Sequence, residues 1–326
     1  MLRAYGPDCH GELVDASHND IPASATWIDL EEPTEEEERL VELAIGVNVP
    51  TPEELAEIEP SSRLYEEGGA VYMTMSTLVG VRDGRPSSTP IGFVLADGKL
   101  VTIRYATPKP VLHFIEHARR DRELVKDGVT TLTRLLDAIV DRLADELEDA
   151  ATELDKISQH IFHRGNGDHR PERIPAERLR ALLNRIGRAQ ALLSRIRETA
   201  LSTNRVVAFL SSSGLVRQSQ SHRERIQSLS ADVTSLIDHS GFLTNNLGFL
   251  LQASLGLISV EQNAIIKIFS VAAVIFLPPT LVGTIYGMNF DHIPELDWLL
   301  GYPFALGLMV MSAILPYWWF KRKGWL

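Results

Sequence analysis

The chain has 326 residues and a single cysteine, Cys9, which excludes an intrachain disulfide and a paired-cysteine metal or redox site. Its formal charge is −11, and because Glu261, Asp291, Glu295 and Asp297 are offset by Lys267, Lys321, Arg322 and Lys323, the whole excess belongs to residues 1–260. Such an acidic body argues against a nucleic-acid partner and fits a solvated surface that attracts cations.

Residues 1–25 lack the apolar core of a secretory signal, so the large N-terminal part is expected to stay in the cytoplasm. Beyond it, residues 26–125 read as mixed α and β. Short β-rich runs occur at 26–30, 70–81, 91–95 and 100–105, with Asp97-Gly98 marking a hairpin turn between the last two. Thr34 followed by Glu37 fits a capping box at a helix start, and Thr51-Pro52-Glu53-Glu54 fits a second N-terminus. The acids there are dipole-complementing helix-start charges rather than catalytic carboxylates. With no nucleophile beside a base, no phosphate-cradling glycine loop and no metal-ligand cluster, residues 1–129 are expected to form a layered α/β/α domain without enzymatic chemistry.

From residue 130 the pattern changes to long helices. Leu136, Val140, Leu143, Leu147, Ala150, Leu154, Ile157 and Ile161 alternate by four and three, and the same spacing recurs from Leu179 to Leu210 and from Ile226 to Leu250. Loop-like stretches at 164–168 and 211–214 separate them, which predicts coiled-coil-like antiparallel helices over 130–222 and a stalk helix over 223–288. A helix from about Glu224 to Gly287 would be roughly 95 Å long and would reach well below a bilayer. His160, His163 and His169 read as exposed helix-end residues rather than a metal site, and Arg178, Arg180, Arg185 and Arg188 as a solvated face balanced by acids on the preceding helix.

Two runs are long and apolar enough to span a membrane, at 268–287 and 299–320, neither with a charged side chain. Lys267 and Lys321-Arg322-Lys323 flank them on one side, the basic tail being 321–326, while the intervening loop has no base. The positive-inside rule then puts both termini in the cytoplasm and the loop (289–298) outside. Along the first span, Asn263, Ile266, Ser270, Ala273, Leu277, Thr280, Thr284 and Gly287 fall near one side of a helix. That mostly small or polar stripe fits either a pore wall or a seam for tight helix packing. In the loop, Asp291, Glu295 and Asp297 would raise the local cation concentration if repeated around a mouth.

The first span ends in Tyr286-Gly287-Met288-Asn289-Phe290, followed by Pro294-Glu295-Leu296. Together with Glu261-Gln262-Asn263, Phe276-Leu277-Pro278-Pro279-Thr280, Gly301-Tyr302-Pro303 and the ending Phe320-Lys321-Arg322-Lys323-Gly324-Trp325-Leu326, these motifs, over about 65 residues, resemble the CorA family of magnesium channels. The resemblance implies a homopentamer in the cell inner membrane, with the first membrane helix lining the pore. It implies a selectivity filter at Gly287, Met288 and Asn289, polar rings at Thr280 and Asn263, and an apolar constriction at Ile266, Phe269 and Leu277. It implies passive Mg²⁺ influx, extending to Co²⁺ and Ni²⁺, closed by cytoplasmic Mg²⁺. No prosthetic group is implied, the partners being the lipid bilayer, hydrated divalent cations and further copies of the chain. The family's sensor acids match no particular residues here. Gln252 stands where some members carry an acid near the inner mouth. A zinc transporter of the same fold and a membrane-anchored coiled-coil scaffold remain as alternatives.

Overall fold

The computed structural model describes residues 1–15, 20–162, 176–217, 219–289 and 298–323. In chain order the elements are strands β1 (Leu2–Gly6), β2 (Cys9–Leu13) and β3 (Trp27–Glu31), then helices α1 (Glu35–Ile45), α2 (Pro52–Ala56) and α3 (Pro60–Arg63). Strands β4 (Leu64–Glu67), β5 (Ala70–Val79), β6 (Ser87–Ala96) and β7 (Lys99–Arg104) come next. They are followed by α4 (Lys109–Ala118), a 3₁₀ turn (Arg122–Val125), α5 (Gly128–Phe162), α6 (Ala176–Ser212), α7 (Gly214–Arg217), α8 (Gln220–Tyr286) and α9 (Gly301–Arg322). The chain divides into two compact units, Met1–Gly165 with Ala181–Leu251, and Asn166–Arg180 with Gln252–Leu326.

The first unit is built on a seven-stranded sheet of order β2-β1-β3-β7-β6-β5-β4. The neighbours pair antiparallel except β3 and β7, which run parallel through Asp29↔Thr102 and Glu31↔Arg104. Asp97 and Gly98 make the β6–β7 turn with φ of 48° and 72°, the left-handed pair that a two-residue hairpin needs. Both capping boxes are present: Thr34 and Glu37 start α1, and Thr51 and Glu54 start α2, with Pro52 in the first turn. The β-rich runs at 26–30, 70–81, 91–95 and 100–105 correspond to β3, β5, β6 and β7, shifted by a few residues at their ends, whereas β1, β2 and β4 were not anticipated.

The sheet is covered on both faces, because side chains alternate along each strand. Leu2, Ala4, Ile28, Leu30, Val94, Val101 and Ile103 form one core with Val41 and Ile45 of α1 and Leu55 of α2. Gly92 permits that approach, since a Cβ there would lie 2.7 Å from Leu55 Cδ2. On the opposite face Trp27 stacks on Tyr5 at 4.4 Å and meets Phe114 of α4 edge-on at 5.3 Å. Beside it lies a buried polar network, in which Asp29 accepts from Thr102 Oγ1 (2.6 Å), Arg104 Nε (3.1 Å) and Arg104 Nη2 (2.9 Å). Arg104 Nη1 donates to Glu31 (2.8 Å) and to the Ala106 carbonyl (3.1 Å), and the Trp27 indole donates to Thr102 (3.1 Å).

Burial acts against ionisation of Glu31, but its hydrogen bonds from Arg104 and Thr107 prevail, so its pKa lies below the ordinary value of 4.5. A depressed folded-state pKa stabilises the fold above the unfolded value and loses that contribution as pH falls through the folded one. Glu31→Gln is therefore expected to melt below the wild type near neutral pH, with the difference closing below about pH 4 in a thermal-melting series.

Long helices complete this unit. The heptad residues of α5 from Leu136 to Ile161 are all buried, as are Leu182, Ile186, Leu193, Val207 and Leu210 of α6 and Ile226, Leu229, Val233, Leu243 and Leu247 of α8. Arg185 of α6 pairs with Glu153 of α5 at 2.7 Å, and Arg225 of α8 with Asp137 of α5 at 2.9 Å. Helix α6 also reaches the sheet, where Ser202 Oγ accepts from the Ser76 N–H (2.9 Å) and Glu198 from Ser88 (2.9 Å).

At the start of α5 the Gly128 N–H donates to the Gly98 carbonyl (2.9 Å), holding the helix against the β6–β7 turn. A Cβ on Gly128 would lie 2.6 Å from the Lys99 carbonyl carbon and 2.8 Å from the Leu100 nitrogen. Backbone cannot rotate aside as a side chain can, so Gly128→Ala is expected to cost about 1–3 kcal/mol, read as a lowered denaturation midpoint.

In the second unit, α8 continues from Gln252 to Tyr286 and α9 runs from Gly301 to Arg322. Both helices are long and apolar enough to cross a membrane. Pro278 and Pro279 lie inside α8 without ending it, although each removes one backbone donor.

Candidate functional site

The membrane-length part of α8 has two faces, and burial separates them. Val271 is 4% exposed, and Ile275, Pro278, Pro279, Val282, Gly283 and Tyr286 are half-buried. On α9 the covered positions are Gly301, Ala305, Met309, Ser312, Ala313, Pro316 and Phe320, again one stripe at helical spacing. The two helices meet at Gly283, where an added Cβ would sit 3.4 Å from Met309 Cε. A small residue there lets the helices come together.

Asn263, Ile266, Ser270, Ala273, Leu277, Thr280, Thr284 and Gly287 are all exposed within the chain. At about 100° per residue, their mean direction on the helix is roughly opposite to that of the face turned to α9. The small and polar stripe is therefore not the seam between the chain's own two apolar helices. It faces away from α9 and is left for a water-filled passage or for another copy of the chain.

Two of the stripe's side chains act as hydrogen-bond acceptors. Thr280 Oγ1 donates to the Phe276 carbonyl at 2.7 Å, and Thr284 Oγ1 to the Thr280 carbonyl at 2.8 Å. A hydroxyl whose proton is committed to the backbone can only accept from anything else. Both side chains thus present lone pairs, which suit the outward-pointing hydrogens of a cation's water shell.

The outer end of α8 closes with the Gly287 N–H on the Gly283 carbonyl (3.0 Å) and the Met288 N–H on the Ile285 carbonyl (3.3 Å). Final-turn carbonyls of a helix carry partial negative charge along the axis, which favours a cation there. Met288 and Asn289 follow, both exposed. Ile266, Phe269 and Leu277, expected as an apolar constriction, are 62%, 71% and 67% exposed within the chain, an apolar surface awaiting a neighbour or a dry passage.

The outer-loop acids Asp291, Glu295 and Asp297, together with Phe290 and the end of the basic tail at 324–326, lie outside the described residues. So do His163, His169 and the loop 164–168. His160 is exposed on α5, with Nδ1 2.6 Å from the Lys156 carbonyl of its own helix. Among the described residues no cluster of three or more His, Cys, Asp or Glu side chains could hold a metal ion. Gly283 was not singled out from the sequence, although its position four residues before Gly287 is the small-xxx-small signature of helix contact.

The family described as "CorA-like Mg2+ transporter protein" matches residues 22–322. The magnesium transport protein CorA of Pasteurella multocida (strain Pm70) is 35% identical over 331 residues, covering 100% of both chains. That of Yersinia pseudotuberculosis serotype I (strain IP32953) is 33% identical over 314 residues, 96% of each. Among solved structures, the complete CorA magnesium transporter of Methanocaldococcus jannaschii superimposes with a TM-score of 0.75 at 21% identity, covering 100% of this chain and 98% of that one.

Proposed function

The chain belongs to the CorA-like Mg²⁺ transporter family, a family of transporters rather than enzymes, and from that premise we propose that it carries Mg²⁺ inward, passively, along the stripe of α8 from Asn289 to Asn263. The observation that supports this reading best is the pair of exposed threonine hydroxyls, acceptor-only and aligned on the face that the chain leaves uncovered.

Physical chemistry favours passage of the hydrated ion. Mg²⁺ gives up its waters reluctantly. A membrane potential of 100 mV supplies about 4.6 kcal/mol for a divalent ion, from about 2.3 per charge. Stripping even a single charge of its water costs of order 20 kcal/mol in a dry medium, so a neutral ring that holds the ion through its shell is the lower path. In this reading Asn289 carboxamides and Gly287 carbonyls meet the hydrated ion beside Met288, Thr280 and Asn263 form further rings, and Ile266, Phe269 and Leu277 close the passage by excluding water. Asp291, Glu295 and Asp297 concentrate cations at the mouth.

Rings require several copies of the chain, and in this reading the assembly is a homopentamer, in keeping with the family resemblance. Co²⁺ and Ni²⁺, which also accept an octahedral shell, follow the same route. In the same reading the protein lies in the cell inner membrane, and the flanking bases favour both termini on its cytoplasmic side. Closure by cytoplasmic Mg²⁺ would act on α8, which carries residues of both compact units in one unbroken helix.

Uptake into proteoliposomes tests the reading. Mg²⁺ entry that scales with an inside-negative potential and needs no proton gradient is the expected result. Zn²⁺ entry driven by a proton gradient would replace it with the zinc alternative, and no cation entry would leave a scaffold.

A further inference from the structure

Away from α8 and α9, the first compact unit has a partly open cavity of about 190 Å³ between the end of β5, the start of α4 and the helices α5 and α6. Two of its lining side chains have polar atoms without a partner. Thr199 of α6 is 0% exposed, and its Oγ1 has no hydrogen bond. Lys109, the first residue of α4, has its Nζ buried with no acceptor. Of the other charged groups on the wall, Arg142 is paired with Glu146 and lies 3.7 Å from Asp145, and Asp83 is exposed on the turn after β5.

A buried ammonium without an acceptor and a buried hydroxyl without a partner each carry a desolvation cost that one bound group could remove. A cation would be repelled by Lys109. An apolar guest would leave both atoms unsatisfied. We propose that this cavity is a binding site for a small oxyanion, a phosphate or a short carboxylate, held by the Lys109 ammonium and the Thr199 hydroxyl. The volume holds about six waters at roughly 30 Å³ each, which is room for such an anion with part of its hydration. The first turn of α4 offers few backbone donors, since Pro110 has no N–H and those of Val111 and Leu112 bond to the Pro108 carbonyl, so the side chains carry the recognition. Burial, then the charges of Arg82 and Arg142, lower the pKa of Lys109, with Glu146 and Asp83 acting the other way. A bound anion would tie α4 to α6 across the cavity.

The test is the melting temperature of the full chain in detergent, titrated with potassium phosphate or potassium acetate against potassium chloride of equal ionic strength. A saturable rise of a few degrees in the phosphate or the acetate arm, beyond chloride, is expected, and the responding arm identifies the anion. Lys109→Met is expected to melt no lower than the wild type without anion, because it removes an uncompensated charge, and to bind at least tenfold more weakly. Should Lys109→Met not fold, Thr199→Val carries the same comparison. A response no greater than that of chloride in both arms, or an undiminished response in the variant, would overturn the proposal.

Discussion

Asn289→Ala is expected to lower Mg²⁺ uptake at least tenfold in proteoliposomes while leaving the melting temperature of the protein unchanged. The side chain is exposed beyond the last turn of α8, so its removal leaves no cavity and strands no buried partner. What it removes is a carboxamide oxygen that would accept from the ion's water shell. One such hydrogen bond is worth about 0.5–1.5 kcal/mol, and about 1.4 kcal/mol is a factor of ten, so the loss repeated around a ring exceeds tenfold. Uptake within twofold of wild type would remove Asn289 from the filter.

The second large effect belongs to the soluble part. Asp29 and Arg104 are each 1% exposed, and truncating Asp29 to Ala leaves a guanidinium buried with only Glu31 and the Ala106 carbonyl as acceptors. Breaking a buried pair on one side typically costs about 3–5 kcal/mol, which for a unit of this size lowers the melting temperature by about 10 °C. The contrast that identifies the cause is Asp29→Leu combined with Arg104→Met, which removes both charges and keeps the volume. That pair is expected to recover most of the loss, and a double variant as unstable as Asp29→Ala alone would point to packing rather than charge.

How much of this could be read from the sequence depended on whether the signal was local. The charge-free runs, the four-and-three alternation in α5, α6 and α8, the caps at Thr34 and Thr51 and the Asp97-Gly98 turn each depend on neighbours within a few residues, and each matches an element of the fold. Strands β2 and β4 escaped because they are short edge strands with polar, partly exposed residues such as Glu12, Glu66 and Glu67, which lack the buried alternation of a central strand. The Asp29–Arg104 network escaped for a different reason. Its members are brought together by the parallel register of β3 and β7, 75 positions apart in sequence, and nothing beside either residue announces the other.

The same distinction applies to the site. The stripe on α8 is periodic and therefore legible, but its two readings differ only in what covers it. Spacing on one helix does not carry that information, and the approach of Gly283 to Met309 shows only that α9 takes the other face. The cavity at Lys109 and Thr199 joins residues from α4 and α6, so no spacing rule could have suggested it.

The most direct test of the conduction pathway is the water accessibility of α8 in the membrane, read with single cysteines in a Cys9→Ser background. Thr280→Cys and Thr284→Cys are expected to react rapidly with a small hydrophilic thiol reagent added from outside and to lose Mg²⁺ uptake as they do so, while Val271→Cys and Ile275→Cys, on the face turned to α9, stay protected. Thr280 and Thr284 cysteines that react no faster than those at Val271 and Ile275, with uptake intact, would contradict the account.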